Sequence, residues 1–133
     1  MLVVDDNAYA RAISAQNFRK LGVSTIVEAT GGAEAILLLL NQRFDLMLMD
    51  WYMPDVSGAG LMQVLRDERF GPARNMPVIL MTAYASPDNM ERARALGVNE
   101  VLSKPFSPDQ LGLAMRRVLG QTSAPPLEDA VFL

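Results

Sequence analysis

Short apolar runs alternate with longer, amphipathic segments along most of the chain. Each run is bounded by turn-forming residues and is too short for a helix, which predicts a β-strand. The predicted strands cover residues 2–4, 25–27, 46–49, 78–81 and 98–102. Because the runs are almost continuously apolar, we expect both faces of the resulting sheet to be covered.

Helical patterns follow each predicted strand. Tyr9, Ile13 and Leu21 can share one face of a first helix that ends at Gly22, since glycine readily takes the left-handed terminating conformation. The second and third helices are predicted over residues 33–40 and 60–69. The last two begin with the same Ser-Pro-Asp signal, at residues 86–88 and 107–109. Serine caps the exposed amides, proline fits the first helical position, and aspartate faces the positive end of the helix dipole.

This alternation predicts an α/β fold with a doubly wound parallel sheet and helices on both faces. A parallel pair needs a crossover between its strands, and each predicted helix supplies one. In such sheets, ligands bind beyond the carboxyl ends of the strands, where the strand order reverses. Functional residues are therefore expected directly after the predicted strands.

Polar residues follow four of the five predicted strands. Asp5 and Asp6 follow the first, Asp50 the third, Thr82 the fourth and Lys104 the fifth. Because the carboxyl ends of parallel strands meet at one edge, we expect these side chains to share a cleft. Three carboxylates, a hydroxyl and an ammonium in this order predict a magnesium and phosphoryl site.

Each of these residues also has an ordinary structural interpretation. Asp5 and Asp6 could cap the first helix, and Asp50 and Asp55 could be turn residues around a proline. Thr82 could be a plain strand-end residue, and Lys104 a solvated lysine. The ordered placement of the whole set at strand ends favours the functional interpretation.

Composition narrows the chemistry further. The chain has 133 residues, about one domain, with a net charge of −3 that argues against a nucleic-acid surface. No apolar stretch is long enough for a membrane span, so a cytoplasmic protein is expected. Without cysteine or histidine, the chain has no thiol nucleophile and no imidazole base. A carboxylate is the strongest remaining nucleophile. The nine methionines and the leucine run at 37–40 are expected to fill the core.

Four motifs in register resemble the receiver domain of two-component response regulators, the CheY-like family. They are Val-Val-Asp-Asp-Asn at 3–7, Asp-Trp-Tyr-Met-Pro at 50–54 with Gly58, Met-Thr-Ala at 81–83, and Ser-Lys-Pro-Phe at 103–106. The resemblance covers residues 1–120. It implies a flavodoxin-like (βα)5 sheet with strand order 2-1-3-4-5, and a cis bond before Pro105.

The resemblance also implies roles for the strand-end residues. Asp50 would be the phosphoacceptor, forming an aspartyl phosphate, and Thr82 and Lys104 would hold phosphoryl oxygens. Mg²⁺, for which Mn²⁺ could substitute, would be bound directly by Asp6 and Asp50 and mainly through water by Asp5. The backbone carbonyl of Tyr52 would complete the protein ligands. The domain would catalyse only its own phosphorylation and dephosphorylation, so it is not expected to be an enzyme in the ordinary sense.

Two positions depart from the family pattern. Receivers commonly have an aromatic switch residue three positions before the lysine, where this chain has Val101. Tyr84 is a candidate substitute for that switch, or an exposed ring at a strand end. Tyr52 and Tyr84 also occupy the two variable positions that flank the phosphoryl site in the family. We expect the two rings to shield an acyl phosphate from water.

By the same resemblance, the phosphodonor would be a sensor histidine kinase or a histidine phosphotransfer protein. It would meet the cleft and the first helix, including Ala10, Arg11 and Ser14. Residues 87–119, the face of the fourth helix, fifth strand and fifth helix, would bind a downstream target or effector domain or form a homodimer. Direct binding of nucleic acid or membrane is not expected. Residues 121–133 are interpreted as a tail or truncated linker without an effector domain, or as a segment that docks on the protein or on a partner.

Other function classes remain open from the sequence. A pseudo-receiver would bind proteins on the same fold without phosphorylation, and Val101 is compatible with it. A phosphatase with an aspartyl nucleophile generally has a second acid two residues later, where this chain has Tyr52. A flavin-binding protein would need a phosphate loop after the first strand, which the sequence lacks.

Overall fold

A computed structural model describes residues 1–122, in which five strands alternate with five α-helices. The strands are β1 (Leu2–Val4), β2 (Val27–Ala29), β3 (Met47–Asp50), β4 (Val78–Thr82) and β5 (Glu100–Ser103). They form one parallel sheet in the order β2-β1-β3-β4-β5. The predicted doubly wound fold and strand order are confirmed. The predicted tail lies outside the described residues, apart from positions 121 and 122.

The helices are α1 (Ala8–Lys20), α2 (Gly32–Asn41), α3 (Gly58–Leu65), α4 (Pro87–Ala95) and α5 (Pro108–Thr122), with a 3-10 segment at Glu68–Asn75. Ser86 and Ser107 each accept a hydrogen bond from a backbone N–H three residues later, at 3.2 and 3.1 Å. Both Ser-Pro-Asp signals therefore begin helices as predicted. None of the helices in residues 1–122 combines the length and the apolar character that crossing a bilayer requires.

The sheet separates two hydrophobic cores because successive strand side chains point to opposite faces. On one face, Leu2, Val4, Met47, Met49, Val78 and Leu80 pack against side chains of α2, α3 and α4. On the other, Val3, Leu48, Ile79 and Met81 pack against α1 and α5. Such double coverage holds the strands rigidly, so the strand ends are fixed points for any side chain placed there.

Three predicted elements differ in position from the observed ones. Strand β5, expected at residues 98–102, begins two residues later, at Glu100. Strand β2 was expected at residues 25–27 but pairs with β1 through residues 27–29. It is an edge strand with the exposed Glu28 at its centre, so an apolar run does not mark it. Helix α3 was expected at residues 60–69. It begins two residues earlier, capped by Ser57, and ends at Leu65, after which Asp67 accepts from the Arg69 N–H and starts the 3-10 segment.

Several apolar residues do not lie where the sequence suggested. Leu37 and Leu40 are 61% and 63% exposed, so the expectation that the leucine run fills the core is wrong for these two. Tyr9 and Ile13 share an outer face of α1 and are exposed. The apolar periodicity predicted a shared face of α1, but the side of the helix that packs on the core carries smaller residues and Phe18.

The Arg66 side chain joins α3 to the amino edge of the sheet, the edge opposite the predicted site. Its guanidinium donates hydrogen bonds of 2.6–3.2 Å to backbone carbonyls and one side-chain amide, those of Gly97, Arg74, Met76 and Asn99. Burial lowers the pKa of Arg66 from its ordinary value. This one residue therefore fixes the C-terminal end of α4 against α3 and the start of β4.

We expect Arg66→Met to lower the free energy of unfolding by about 2 kcal/mol or more, because the variant leaves several partly buried carbonyls without donors. Urea denaturation measures the change. Arg69→Met is the matched control. Arg69 pairs with Asp67 at 2.9 Å, but its side chain is 88% exposed, so its loss should destabilise the protein much less than the loss of Arg66. Equal effects of the two substitutions would contradict the importance of the Arg66 contacts.

Candidate functional site

Four strands bring the predicted polar residues to the carboxyl edge of the sheet. Asp5 and Asp6 directly follow β1, and Asp50 is the last residue of β3. Strands β1 and β3 are neighbours in the sheet, and the strand order reverses between them. Thr82 ends β4, and Lys104 follows β5. The Lys104–Pro105 bond is cis, as the resemblance implied.

The three carboxylates converge on one small volume. Asp5, Asp6 and Asp50 each offer an oxygen atom that lies within 4.8 Å of the others. The Lys104 ammonium lies between two of them, with Nζ 3.6 Å from Asp5 Oδ2 and 3.4 Å from Asp50 Oδ2. Residues 99 positions apart in the sequence therefore share one cluster.

Asp5 is the buried member of this cluster. Its Oδ1 accepts a hydrogen bond of 2.9 Å from the Asn7 N–H. Its Oδ2 is buried and, among the described residues, has no hydrogen-bond partner, with Lys104 Nζ just beyond bonding distance. A buried, unsatisfied carboxylate oxygen is costly unless a cation faces it. Oxygen donors alone are the ligands that Mg²⁺ prefers, so these three residues fit a small divalent cation.

Asp50 differs from Asp5 in its access to solvent, since its side chain is 14% exposed and that of Asp5 is 1% exposed. Burial raises the pKa of Asp50, and the neighbouring Asp5 charge raises it further, while Lys104 opposes both. The carboxylate is therefore partly desolvated, reachable from the cleft and paired with an ammonium. These are the properties of a carboxylate nucleophile whose product is stabilised by a cation.

Thr82 lies at the same edge, where its hydroxyl contacts the loop that follows β4. It is 3% exposed, and its Oγ1 accepts a hydrogen bond of 3.0 Å from the Tyr84 N–H. A cavity of about 10 Å³ separates Thr82 from Val101 and from Met90 of α4. Val101, which is only partly buried, does not fill this space.

Tyr52 and Tyr84 form an aromatic pair above the cleft. Their ring centroids are 5.7 Å apart with an interplanar angle of 86°, an edge-to-face contact. Both rings are largely exposed, so Tyr84 lies outside and not in the inward position that a switch residue occupies. Asn89 of α4 donates to the Tyr84 carbonyl at 3.0 Å and lies 3.5 Å from Tyr52 Oη, the long limit for a hydrogen bond. The metal-binding role of the Tyr52 carbonyl stays a prediction.

The loop after β3 is held by contacts that sequence reasoning missed. Gly58 packs on Trp51 so closely that a Cβ at Gly58 would lie 2.8 Å from the indole. The Asp55 carboxylate accepts hydrogen bonds from the N–H groups of Gly32 and Ala33, at 3.2 and 3.0 Å. Asp55 was interpreted only as a turn residue. The available signal was α2 itself, which begins in a Gly-Gly pair that has no capping side chain.

The predicted phosphodonor surface on α1 needs one correction. Ser14 is only 4% exposed, and its hydroxyl donates to the Met81 sulfur at 3.8 Å, so Ser14 faces the core and not a partner. Arg11 is mostly covered as well, because it donates to the Asp5 carbonyl and pairs with Glu28. The exposed side of α1 near the cleft carries Tyr9 and Ile13 instead.

Comparison with known proteins identifies the same fold and the family to which it belongs. The family model of the response regulator receiver domain matches residues 1–116. The chemotaxis protein CheY of Pseudomonas aeruginosa is 36% identical over 84% of this chain and 88% of its own length. The receiver domain of the Francisella response regulator 1452 superposes with a TM-score of 0.81 at 30% identity, covering 92% of this chain and 97% of that one.

A third relative is the receiver domain of the sensor histidine kinase PA1611 from Pseudomonas aeruginosa PAO1. It superposes with a TM-score of 0.80 at 28% identity, covering 90% of this chain and 95% of its own. Its structure has a magnesium ion coordinated in the active site cleft. That cleft belongs to a chain with the same topology as this one.

We expect Asp50→Asn to stabilise the metal-free protein at pH 7, because burial and the Asp5 charge together outweigh Lys104 in raising the Asp50 pKa. A carboxyl whose pKa rises on folding favours the folded state only when protonated. The advantage of the variant over wild type should therefore shrink as the pH falls through that raised pKa. Urea unfolding in EDTA measures both trends.

Asp45→Asn is the control for this prediction. Asp45 is an exposed carboxylate that lies two residues before β3, at the amino edge of the sheet and far from the cleft. It should not raise the unfolding midpoint. An Asp50→Asn protein that is no more stable than wild type in EDTA would contradict the expectation that the charged Asp50 side chain destabilises the metal-free protein.

Proposed function

The chain belongs to the family of response regulator receiver domains, and on that premise we propose that it accepts a phosphoryl group on Asp50 from a phosphohistidine of a partner protein. The observation that carries this proposal is the convergence of three carboxylates beside the Lys104 ammonium. The chain has no histidine or cysteine of its own, so a carboxylate is the available nucleophile.

Asp50 is better placed for attack than its neighbours. Asp5 is fully buried, and one of its oxygens is already bonded to the Asn7 N–H, whereas the Asp50 side chain is accessible from the cleft. In the proposed transfer, an Asp50 oxygen forms a bond to phosphorus as the phosphorus–nitrogen bond breaks. The leaving imidazole keeps the bonding electrons and takes up a proton. The product is an aspartyl phosphate, and no oxidation or reduction occurs.

Asp5, Asp6 and Asp50 would hold the magnesium ion, with Asp6 and Asp50 as direct ligands and Asp5 mainly through water. The Tyr52 carbonyl would be a further ligand, and Mn²⁺ could take the same place. When bound, the cation offsets the carboxylate charge and orients a phosphoryl oxygen. The buried, unpaired Asp5 Oδ2 supports this proposal.

Lys104 and Thr82 would bind the other phosphoryl oxygens. Lys104 Nζ already lies 3.4 Å from Asp50, so a small movement brings it to an oxygen on the phosphorylated side chain. The Thr82 hydroxyl accepts from the Tyr84 N–H and can direct its own proton towards an anionic oxygen. Both groups would favour the phosphorylated state through charge-assisted hydrogen bonds.

The switch would run from Thr82 to α4 through the backbone of Tyr84. Tyr84 donates to the Thr82 hydroxyl, and its carbonyl accepts from Asn89 of α4. A Thr82 side chain drawn to the phosphoryl group would change this chain of bonds even though Val101 supplies no aromatic ring. The result would be a shift in population at the α4-β5-α5 face, residues 87–119, where a downstream target binds or a homodimer forms.

The phosphodonor would be a sensor histidine kinase or a histidine phosphotransfer protein, in the cytoplasm. It would contact the cleft and the outer face of α1 at Tyr9 and Ile13. Residues 1–120 would form the receiver domain, which would catalyse only its own phosphorylation and dephosphorylation. The second candidate is a pseudo-receiver that binds proteins without phosphorylation, and the observation that favours it is the valine at position 101.

We expect the protein to gain one phosphoryl group when it is incubated with Mg²⁺ and a small acyl phosphate, measured as intact mass. Asp50→Asn should gain none, because the acceptor oxygen is replaced by an amide, and EDTA should abolish the gain in wild type. Asp45→Asn should behave as wild type. No gain in a folded wild-type protein that binds Mg²⁺ would overturn the proposal and favour the pseudo-receiver.

We expect the paired substitution Tyr52→Asn with Tyr84→Ser to shorten the lifetime of the aspartyl phosphate about tenfold, because the edge-to-face rings limit the approach of water. A tenfold change in the hydrolysis rate corresponds to about 1.4 kcal/mol in the activation barrier. The loss of intact phosphorylated mass over time measures the rate. Tyr9→Asn is the control, since Tyr9 is an exposed ring on α1 outside the aromatic pair. An unchanged rate in the paired variant would show that the rings do not shield the site.

A further inference from the structure

Asp55 connects two elements that the sequence keeps far apart. It lies in the loop between β3 and α3, three residues after Tyr52, and its two oxygens accept from Gly32 and Ala33 at the start of α2. These hydrogen bonds lower the pKa of Asp55, with the Ala33 N–H as the largest cause. Asp55 thus caps α2 from 22 and 23 residues away.

The start of α2 is built to receive this carboxylate. Gly31 occupies the N-cap position, and a Cβ there would lie 2.8 Å from both Asp55 oxygens. A Cβ at Gly32 would lie 2.6 Å from the Val56 side chain. The backbone of Gly31 is extended, a conformation that any residue can adopt, so the requirement for glycine here comes from the close approach of the loop.

The start of α2 is in turn fixed to the strand that precedes Asp5 and Asp6. Ala29, the last residue of β2, pairs with Val4 of β1, and its carbonyl accepts from the Asp5 N–H at 3.1 Å. Only Thr30 separates Ala29 from the Gly31-Gly32 pair. The short backbone segment from Ala29 to Ala33 is therefore hydrogen-bonded to Asp5 at one end and to Asp55 at the other.

The β3–α3 loop is closed at its base, where the Gly58 N–H donates to the Trp51 carbonyl at 2.9 Å. Tyr52 lies between this closure and Asp55. The loop is therefore held at its base by its own backbone and at its far side by α2. Trp51 and Met53, on either side of Tyr52, are buried in the core, so packing fixes the base of the loop and Asp55 fixes its far side.

We propose that Asp55 is a positioning residue for the cation site: by tying the β3–α3 loop to α2, it sets the place of that loop relative to Asp5 and Asp6 and so raises the affinity for a divalent cation. The inference rests on the proposed function, since the site is the magnesium site proposed above. The physical reason is pre-organisation, because a ligand-bearing loop that is already in place loses less conformational freedom on binding.

The test is a Mg²⁺ titration followed by the fluorescence of Trp51, the one tryptophan in the chain, which adjoins Asp50. Asp55→Ala should raise the Kd for Mg²⁺ about tenfold, the lower end of the range for groups that support metal ligands indirectly. Asp55→Asn keeps one acceptor oxygen and should raise the Kd less. Both variants remove the same charge, so a difference between them reports the hydrogen bonds.

Two further variants distinguish the effect of the Asp55 hydrogen bonds to α2 from the effects of charge and of helix stability on Mg²⁺ affinity. Glu34→Ala removes another carboxylate at the start of α2, one that accepts from the Thr30 N–H and hydroxyl but does not reach the loop. It should lower the thermal midpoint and leave the Kd for Mg²⁺ unchanged. Gly31→Ala keeps every charge but places a methyl group against the Asp55 oxygens, so it should raise the Kd as Asp55→Ala does.

Three outcomes would overturn the inference. The first is a Kd in Asp55→Ala equal to that of wild type. The second is an equal rise in Asp55→Ala and Glu34→Ala, which would make the effect one of charge alone. The third is a Gly31→Ala protein that binds Mg²⁺ as wild type does. Wild type that fails to bind Mg²⁺ at all would instead reject the proposed site, which distinguishes the two failures.

Discussion

Asp5 holds a carboxylate at a position without solvent exposure, and Asp50 brings a second one to the same Lys104 ammonium. A single ammonium at 3.4–3.6 Å cannot satisfy both carboxylates together with the exposed Asp6, so the site retains an excess of negative charge. Such an arrangement is unfavourable in isolation and is maintained only because rigid strands, covered on both faces, fix each residue in place. The fold therefore holds an excess of negative charge at this edge, which favours the binding of a cation.

The scaffold contributes this rigidity unequally. Strands β1 and β3 are interior strands whose apolar residues are buried, so Asp5 and Asp50 are fixed by the sheet itself. The β3–α3 loop lies beyond the sheet, and its position depends on the buried Trp51 and Met53 side chains, on the Asp55 carboxylate and on close glycine contacts. Positions in the site that belong to strands and positions that belong to loops thus rest on different kinds of interaction.

The same distinction explains what the sequence could predict. Strands β1 and β4 were found because their residues are continuously apolar, and the residues that follow them could be assigned to one edge from topology alone. Strand β2 was misplaced because its centre is the exposed Glu28. Arg66 and Asp55 were missed because their partners are backbone groups distant in sequence, and such contacts leave no periodic signal. Leu37 and Leu40 show the converse, since apolar character alone does not decide burial.

Helix α4 is held differently at its two ends. At the amino edge of the sheet, Arg66 donates two hydrogen bonds to Gly97, and a Cβ at Gly97 would lie 2.8 Å from the guanidinium. At the carboxyl edge, Asn89 donates one hydrogen bond of 3.0 Å to the β4–α4 loop, at the Tyr84 carbonyl, and makes a longer contact of 3.5 Å with Tyr52 of the β3–α3 loop. Local opening is easiest where the fewest buried contacts must break. A displacement that starts at Thr82 should therefore move the first turn of α4 while its last turn stays fixed, which makes the Arg66 contacts the pivot of any motion that the site drives.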